Sequence, residues 1–143
     1  GAHPGVGRSA PGRGRGPGKV VRDGQLGALF GSDLFVLTGN DRLFNLALQN
    51  HAAGCITAMA NLISPALRML WDAHQTGNPN VLLQELVSQS RNLLDKTPPF
   101  PPLLKALLAK RHAFHDWTVR PPLLPLEEQV VETIAAQFSA IVD

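Results

Sequence analysis

Leu34-Phe35-Val36-Leu37-Thr38-Gly39-Asn40-Asp41 is a short apolar run that stops at a glycine, a polar residue and an acid. It is answered by Ala53-Gly54-Cys55-Ile56-Thr57, a small, partly β-branched run that stops at a threonine. Between them, Arg42 to Asn50 has apolar residues at 43, 44, 46, 47 and 48, a spacing that lets a helix bury one side. Strand, helix, strand within about 25 residues is a βαβ unit, and its crossover makes the two strands parallel. Strands of a parallel sheet are covered on both faces, so they read as continuous apolar runs, and both runs are expected to be buried. Ligands of such sheets bind beyond the carboxyl ends of the strands. Gly39, Asn40 and Asp41 stand at that end of the first run, and Thr57 at that end of the second.

Composition sets the bounds around this unit. A chain of 143 residues suits one domain, and a hydrophobic content of 44% is enough for a core. The net charge of +2 hides an asymmetry. Residues 1–22 hold five basic side chains (Arg8, Arg13, Arg15, Lys19 and Arg22) and no acid, whereas the remaining 121 residues carry a net charge of −3. The single cysteine, Cys55, excludes an internal disulfide, and its place in an apolar strand points to a reducing compartment. No apolar run approaches the roughly 18 residues of a membrane span, and the N-terminus has no apolar signal segment. The expectation is a soluble, cytoplasmic protein with no membrane partner.

Residues 1–31 contain ten of the thirteen glycines and three prolines. Ordering such a segment costs about 1–2 kcal/mol per residue and buries almost nothing apolar in return. It is expected to be a disordered Gly/Arg/Pro-rich leader, either native or an artefact of expression or translation. An Arg/Gly tail can also bind nucleic acid, but residues 1–22 offer no aromatic to stack on bases. Gly24 to Gly31 has three glycines among a few helix-spaced apolar residues and reads as a weak, frayed turn.

After Thr57 the pattern is helical. Ser64-Pro65 reads as an N-cap followed by proline at the first helical position, and Gly77 as the stop. Asn78-Pro79 repeats the start signal, and Pro98-Pro99-Phe100-Pro101-Pro102 breaks that second helix. A third helix is expected over Leu103 to Ala113. Val119-Arg120-Pro121-Pro122-Leu123-Leu124-Pro125-Leu126 should be extended, because a residue before proline avoids the α region. Glu127 to Val142 is a last amphipathic helix whose early acids suit the positive end of its dipole.

Val36 to Asp41, then Ala53-Gly54-Cys55-Ile56-Thr57-Ala58-Met59-Ala60-Asn61, then the helices and the Arg120-Pro121-Pro122 segment resemble the carboxyl-terminal part of the dihydrodipicolinate synthase / N-acetylneuraminate lyase family. The resemblance covers residues 34–143. It implies an α/β fold, the C-terminal fragment of a (β/α)8 barrel. The two runs would be strands seven and eight, followed by a C-terminal helical extension. The implied divisions are a leader over 1–31, the last βαβ unit over 32–63 and the extension over 64–143. The family's chemistry is that of class I aldolases. A lysine forms a Schiff base with pyruvate or a related 2-oxo acid, and the iminium serves as electron sink for carbon–carbon bond making or breaking. No cofactor or metal is implied. By resemblance, Ile56 touches the pyruvate unit through its backbone, Gly39, Asn40 and Asp41 line the pocket, and Thr57 lies beside them.

The chain also departs from that pattern. It has no tyrosine, so the family's proton-relay residue is absent. A (β/α)8 barrel takes about 250 residues, so only its last quarter and the extension are expected in this chain. Lys19 precedes Val20-Val21, where the family's lysine follows an apolar strand. Val20-Val21-Arg22-Asp23 fits that position better, but arginine stays protonated and is no amine nucleophile. The chain alone is therefore expected to be inactive, and to be a homo-oligomer or to lack a barrel half that another polypeptide supplies. A helical interaction module with a basic nucleic-acid-binding tail is the second reading.

The remaining candidates read as structural. His112 and His115 stand at i, i+3 with Asp116 beside them, close enough to share a metal, but they are expected to be surface or interface histidines. Cys55 is expected to be a buried, structural thiol. Asp41 can cap the following helix, touch substrate, or both. Met59, Met69 and Trp71 read as core.

Overall fold

In the computed structural model, which describes residues 25–114 and 118–143, the two apolar runs lie side by side and point the same way. β1 (Leu37–Thr38) and β2 (Gly54–Cys55) pair in parallel, Leu37 opposite Gly54 and Thr38 opposite Cys55. Ala53 N–H donates to Val36 O and Ile56 N–H to Thr38 O, each at 2.9 Å, which carries the ladder past both strands. A 3₁₀ turn (Asp41–Leu43) and helix α2 (Phe44–Gln49) form the crossover. Lys19, Arg22, His115 and Asp116 lie outside the described residues, as does most of the expected leader.

The described end of that leader is not a frayed turn. Residues 25–30 form a helix, α1. Two of the glycines that argued against a helix are what let it dock. A Cβ on Gly27 would lie 1.9 Å from Asn50 O, and one on Gly31 would lie 2.8 Å from the Cβ of His51. The α2–β2 turn therefore sits where side chains would otherwise stand.

Downstream, four helices follow: α3 (Ala60–Gln75), α4 (Val81–Asp95), α5 (Phe100–His112) and α6 (Glu128–Val142). α3 starts one turn before Ser64-Pro65. The chain breaks helical geometry at Ile63 (φ −128°, ψ 33°), immediately ahead of that pair, so the proline signal marks a kink and not the start. The stop at Gly77 is as read. Gly77 has φ +73°, its N–H donates to His74 O at 3.0 Å, and Asn78 N–H donates to Ala73 O at 2.9 Å, a Schellman closure. The cap of α4 is Asn80 rather than Asn78, its Oδ1 accepting from Leu83 N–H at 2.9 Å. α5 starts at Phe100, three residues before the expected Leu103, with prolines taken into its first turn, where no N–H is needed. Residues 119–126 are not simply extended, because a turn at 121–122 lets Leu123 N–H donate to Arg120 O.

The core gathers Phe44 and Leu48 of α2, Met59, and Leu62, Leu67 and Leu70 of α3. Ile63 of α3, Val87 and Leu94 of α4, Leu103, Leu107 and Leu108 of α5, and Ile134 and Phe138 of α6 complete it. The helices thus pack on one another and on one side of the sheet. Met59 is buried, Trp71 is half-buried with its Nε1–H donating to Ala53 O at 3.1 Å, and Met69 is exposed, not core.

The two faces of the sheet differ sharply. Alternation puts Thr38 and Cys55 on the helix side, and Phe35, Leu37, Gly54 and Ile56 on the other. Thr38 is 4% exposed, whereas Phe35 is 91% and Ile56 73% exposed. Burial on both sides is therefore not observed. The described chain supplies a helical layer to one face and no second layer to the other.

Candidate functional site

The residues singled out at the strand ends separate into two groups. Gly39 and Ile56 stand together on the open face, where a Cβ on Gly39 would lie 4.0 Å from Ile56 O. That carbonyl and the bare Gly39 backbone are presented where nothing of the described chain covers them. Asn40 is half-exposed, and its N–H donates to Thr38 Oγ1 at 3.1 Å, which bends the chain back at the end of β1. Thr57 is half-buried, and its Oγ1 has no hydrogen-bond partner among the described residues.

Asp41 belongs to neither the cap nor the open face. The N-cap position of the 3₁₀ turn is Asn40, with no side-chain cap bond. Asp41 is only 1% exposed. Its Oδ1 accepts from Arg42 N–H at 3.1 Å, and its Oδ2 accepts from Arg91 Nη1 at 3.3 Å. Arg91 Nε donates to Asp95 Oδ1 at 2.9 Å, and Asp95 Oδ2 is paired with Arg42. Arg42 Nε also donates to Asn92 Oδ1 at 2.8 Å. Sequence reasoning missed Arg91, Asn92 and Asp95. The available signal was that Gln84, Arg91, Asn92 and Asp95 lie on one side of a helix.

Two titratable groups here are shifted. Partial burial works against ionised Asp95, but the hydrogen bonds and charges of Arg42 and Arg91 outweigh it and hold the carboxyl below the usual range. Burial, and then the charge of Asp41, push the Cys55 thiol up, so it stays protonated at neutral pH. Cys55 is half-buried rather than buried, because β2 packs against the core at the edge of the helical layer.

Among the described residues, no group of three or more His, Cys, Asp or Glu could hold a metal, and no helix is long and apolar enough to cross a membrane. His112 is exposed and stacks on Phe114, ring centroids 5.3 Å apart. Two concavities of about 280 and 430 Å³ lie among the helices, the first beside Lys110, Glu132 and Phe138 and the second beside Ser64, Met69 and Leu86. Neither is lined by the strand-end residues.

A parallel βα unit with one open face, helices on the other and a bare backbone at its carboxyl end defines a piece of a (β/α)-type architecture. The sequence model of the dihydrodipicolinate synthetase family matches residues 16–141, and the chain belongs to that family. Its members are (β/α)8 barrels. The chain is 34% identical to an uncharacterised DapA-like lyase of Chloroflexus aurantiacus over 76% of its own length. It is 28% identical to the 4-hydroxy-tetrahydrodipicolinate synthase of Parasynechococcus marenigrum over 77%. It spans 36% of the length of each of these relatives. In three dimensions it is similar to a dihydrodipicolinate synthase family protein from Coccidioides immitis, with a TM-score of 0.61 and 23% identity over 85% of this chain and 43% of that one.

Proposed function

We propose that the chain is the carboxyl-terminal part of a Schiff-base lyase acting on pyruvate or a related 2-oxo acid. In this reading residues 32–63 are the last βαβ unit, β1 and β2 are strands seven and eight, and residues 64–143 are the helical extension. Gly39, Asn40 and the backbone of Ile56 form part of the pocket floor, with Thr57 beside them. Asp41 supports that floor from behind. The chemistry itself needs an amine nucleophile and a proton relay, which no residue placed at these strand ends supplies. A complementary barrel half would complete the site, the open apolar face suits self-association, and a reducing, cytoplasmic setting goes with the single cysteine.

The observation that carries the reading is the parallel pairing of β1 and β2, which leaves Gly39 and Ile56 O adjacent on an uncovered face. The family match supports it.

Borohydride reduction in the presence of pyruvate tests the division of labour. The chain alone should gain no pyruvyl mass. A reduced adduct, above all on Lys19, would overturn the assignment of the chemistry to residues elsewhere.

A further inference from the structure

We propose that Arg91 is a positioning residue for the strand-end turn, acting through Asp41 to hold Gly39 and Asn40 in place. The pocket role of those two residues rests on the function proposed above; the anchoring does not.

Four side chains of alternating charge close a ring. Asp41 meets Arg91, Arg91 meets Asp95, Asp95 meets Arg42, and Arg42 is the chain neighbour of Asp41. Two members come from the turn after β1 and two from α4, Asp41 and Arg91 being 50 positions apart. The ring is reinforced by Gln84, which bridges the same two segments. Its Nε2 donates to Asp41 O at 3.0 Å, and its Oε1 accepts from Asn45 N–H at 2.8 Å. α4 therefore holds the start of the turn and the first residues of α2 that follow it.

The arrangement makes the turn conditional on the helix. A carboxylate buried to the extent of Asp41 is costly unless paired and hydrogen-bonded. Beyond the adjacent Arg42 N–H, Arg91 supplies that pairing. Arg91 is itself fixed in advance, its guanidinium lying 4.6 Å from the Phe100 ring centroid while Nε is engaged by Asp95. A planar fork can hold Asp41 and Asp95 at once; a lysine ammonium is a single point charge on a flexible stem. Without Arg91, the cheapest course for Asp41 is to turn outward to water. The 3₁₀ turn and the Asn40 bend next to it would then lose their fixed geometry.

Amide hydrogen exchange followed by NMR on the whole chain tests this, with Arg91→Met and the milder Arg91→Lys. The reporters are the amides of Arg42 and Leu43, which bond to Asp41 Oδ1 and Asn40 O, and that of Asn45. The controls are the amides of Leu70 and Val87, fully buried in the middle of α3 and α4. Arg91→Met should lower protection at the reporters by about tenfold or more while leaving the controls within about twofold, with Arg91→Lys in between. Unchanged reporters, or an equal loss at reporters and controls, would overturn the proposal. An adduct in the trapping experiment would alter the chemical reading and leave these rates untouched, so the two failures are distinguishable.

Discussion

The two faces of the β1–β2 pair carry different residues and have opposite fates. On one, Thr38 is buried and Cys55 half-buried, with α2 packed against β2; on the other, Phe35, Leu37 and Ile56 stand in solvent. Parallel strands are ordinarily buried on both faces. The difference places the core among the helices and leaves the open face without a covering layer among the described residues. Stability and function are thus divided. The helix side holds the core, and the open side carries the backbone groups that the proposed function assigns to the pocket floor.

Cutting into the helix side should have the largest effect. Leu94 is fully buried in the shared core, and Leu94→Ala should cost about 2–5 kcal/mol in urea unfolding. Gly27→Ala comes next, because its new methyl group would overlap Asn50 O; a loss of about 1–3 kcal/mol is expected, read as a lower melting temperature. Acid acts on the ring at α4. The folded-state pKa of Asp95 lies below its unfolded value, so its contribution is present above about pH 4 and is lost as pH falls through the depressed value. Stability followed from pH 6 downward should therefore decline at the acid end in wild type and decline less in Asp95→Asn. The open side should be nearly silent in the same assays. Phe35→Ser should change stability by no more than about 0.5 kcal/mol, because an exposed ring has little burial to lose. Self-association, measured by sedimentation, should fall in that variant. A large stability loss at Phe35 would mean that the two faces are not divided in this way.

Much of this was legible in the sequence. The direction of the strand pair followed from two short apolar runs with a helix-sized crossover, and Gly77 marked its stop because a positive φ favours glycine. The starts of α3, α4 and α5 were misplaced for one reason. Proline and asparagine cluster there, and several neighbouring positions can serve as a cap. Only packing selects Asn80 over Asn78, or takes Pro101 and Pro102 into the first turn of α5. α1 was misread because glycine's intrinsic cost was counted without the close approach to Asn50 that glycine permits. The site was legible by position and not by role. Gly39 and Ile56 are adjacent, as strand ends should be, but Asp41 faces α4. Its partner Arg91 is distant in sequence and becomes its neighbour only once α4 packs on the turn.

The most direct test of the account is the set of cross-strand nuclear Overhauser contacts and slow amides over residues 36–56. Parallel pairing should give contacts that put Leu37 beside Gly54 and Thr38 beside Cys55, with Ala53 and Ile56 amides protected by Val36 O and Thr38 O. An antiparallel contact pattern, or helical contacts through either segment, would contradict it.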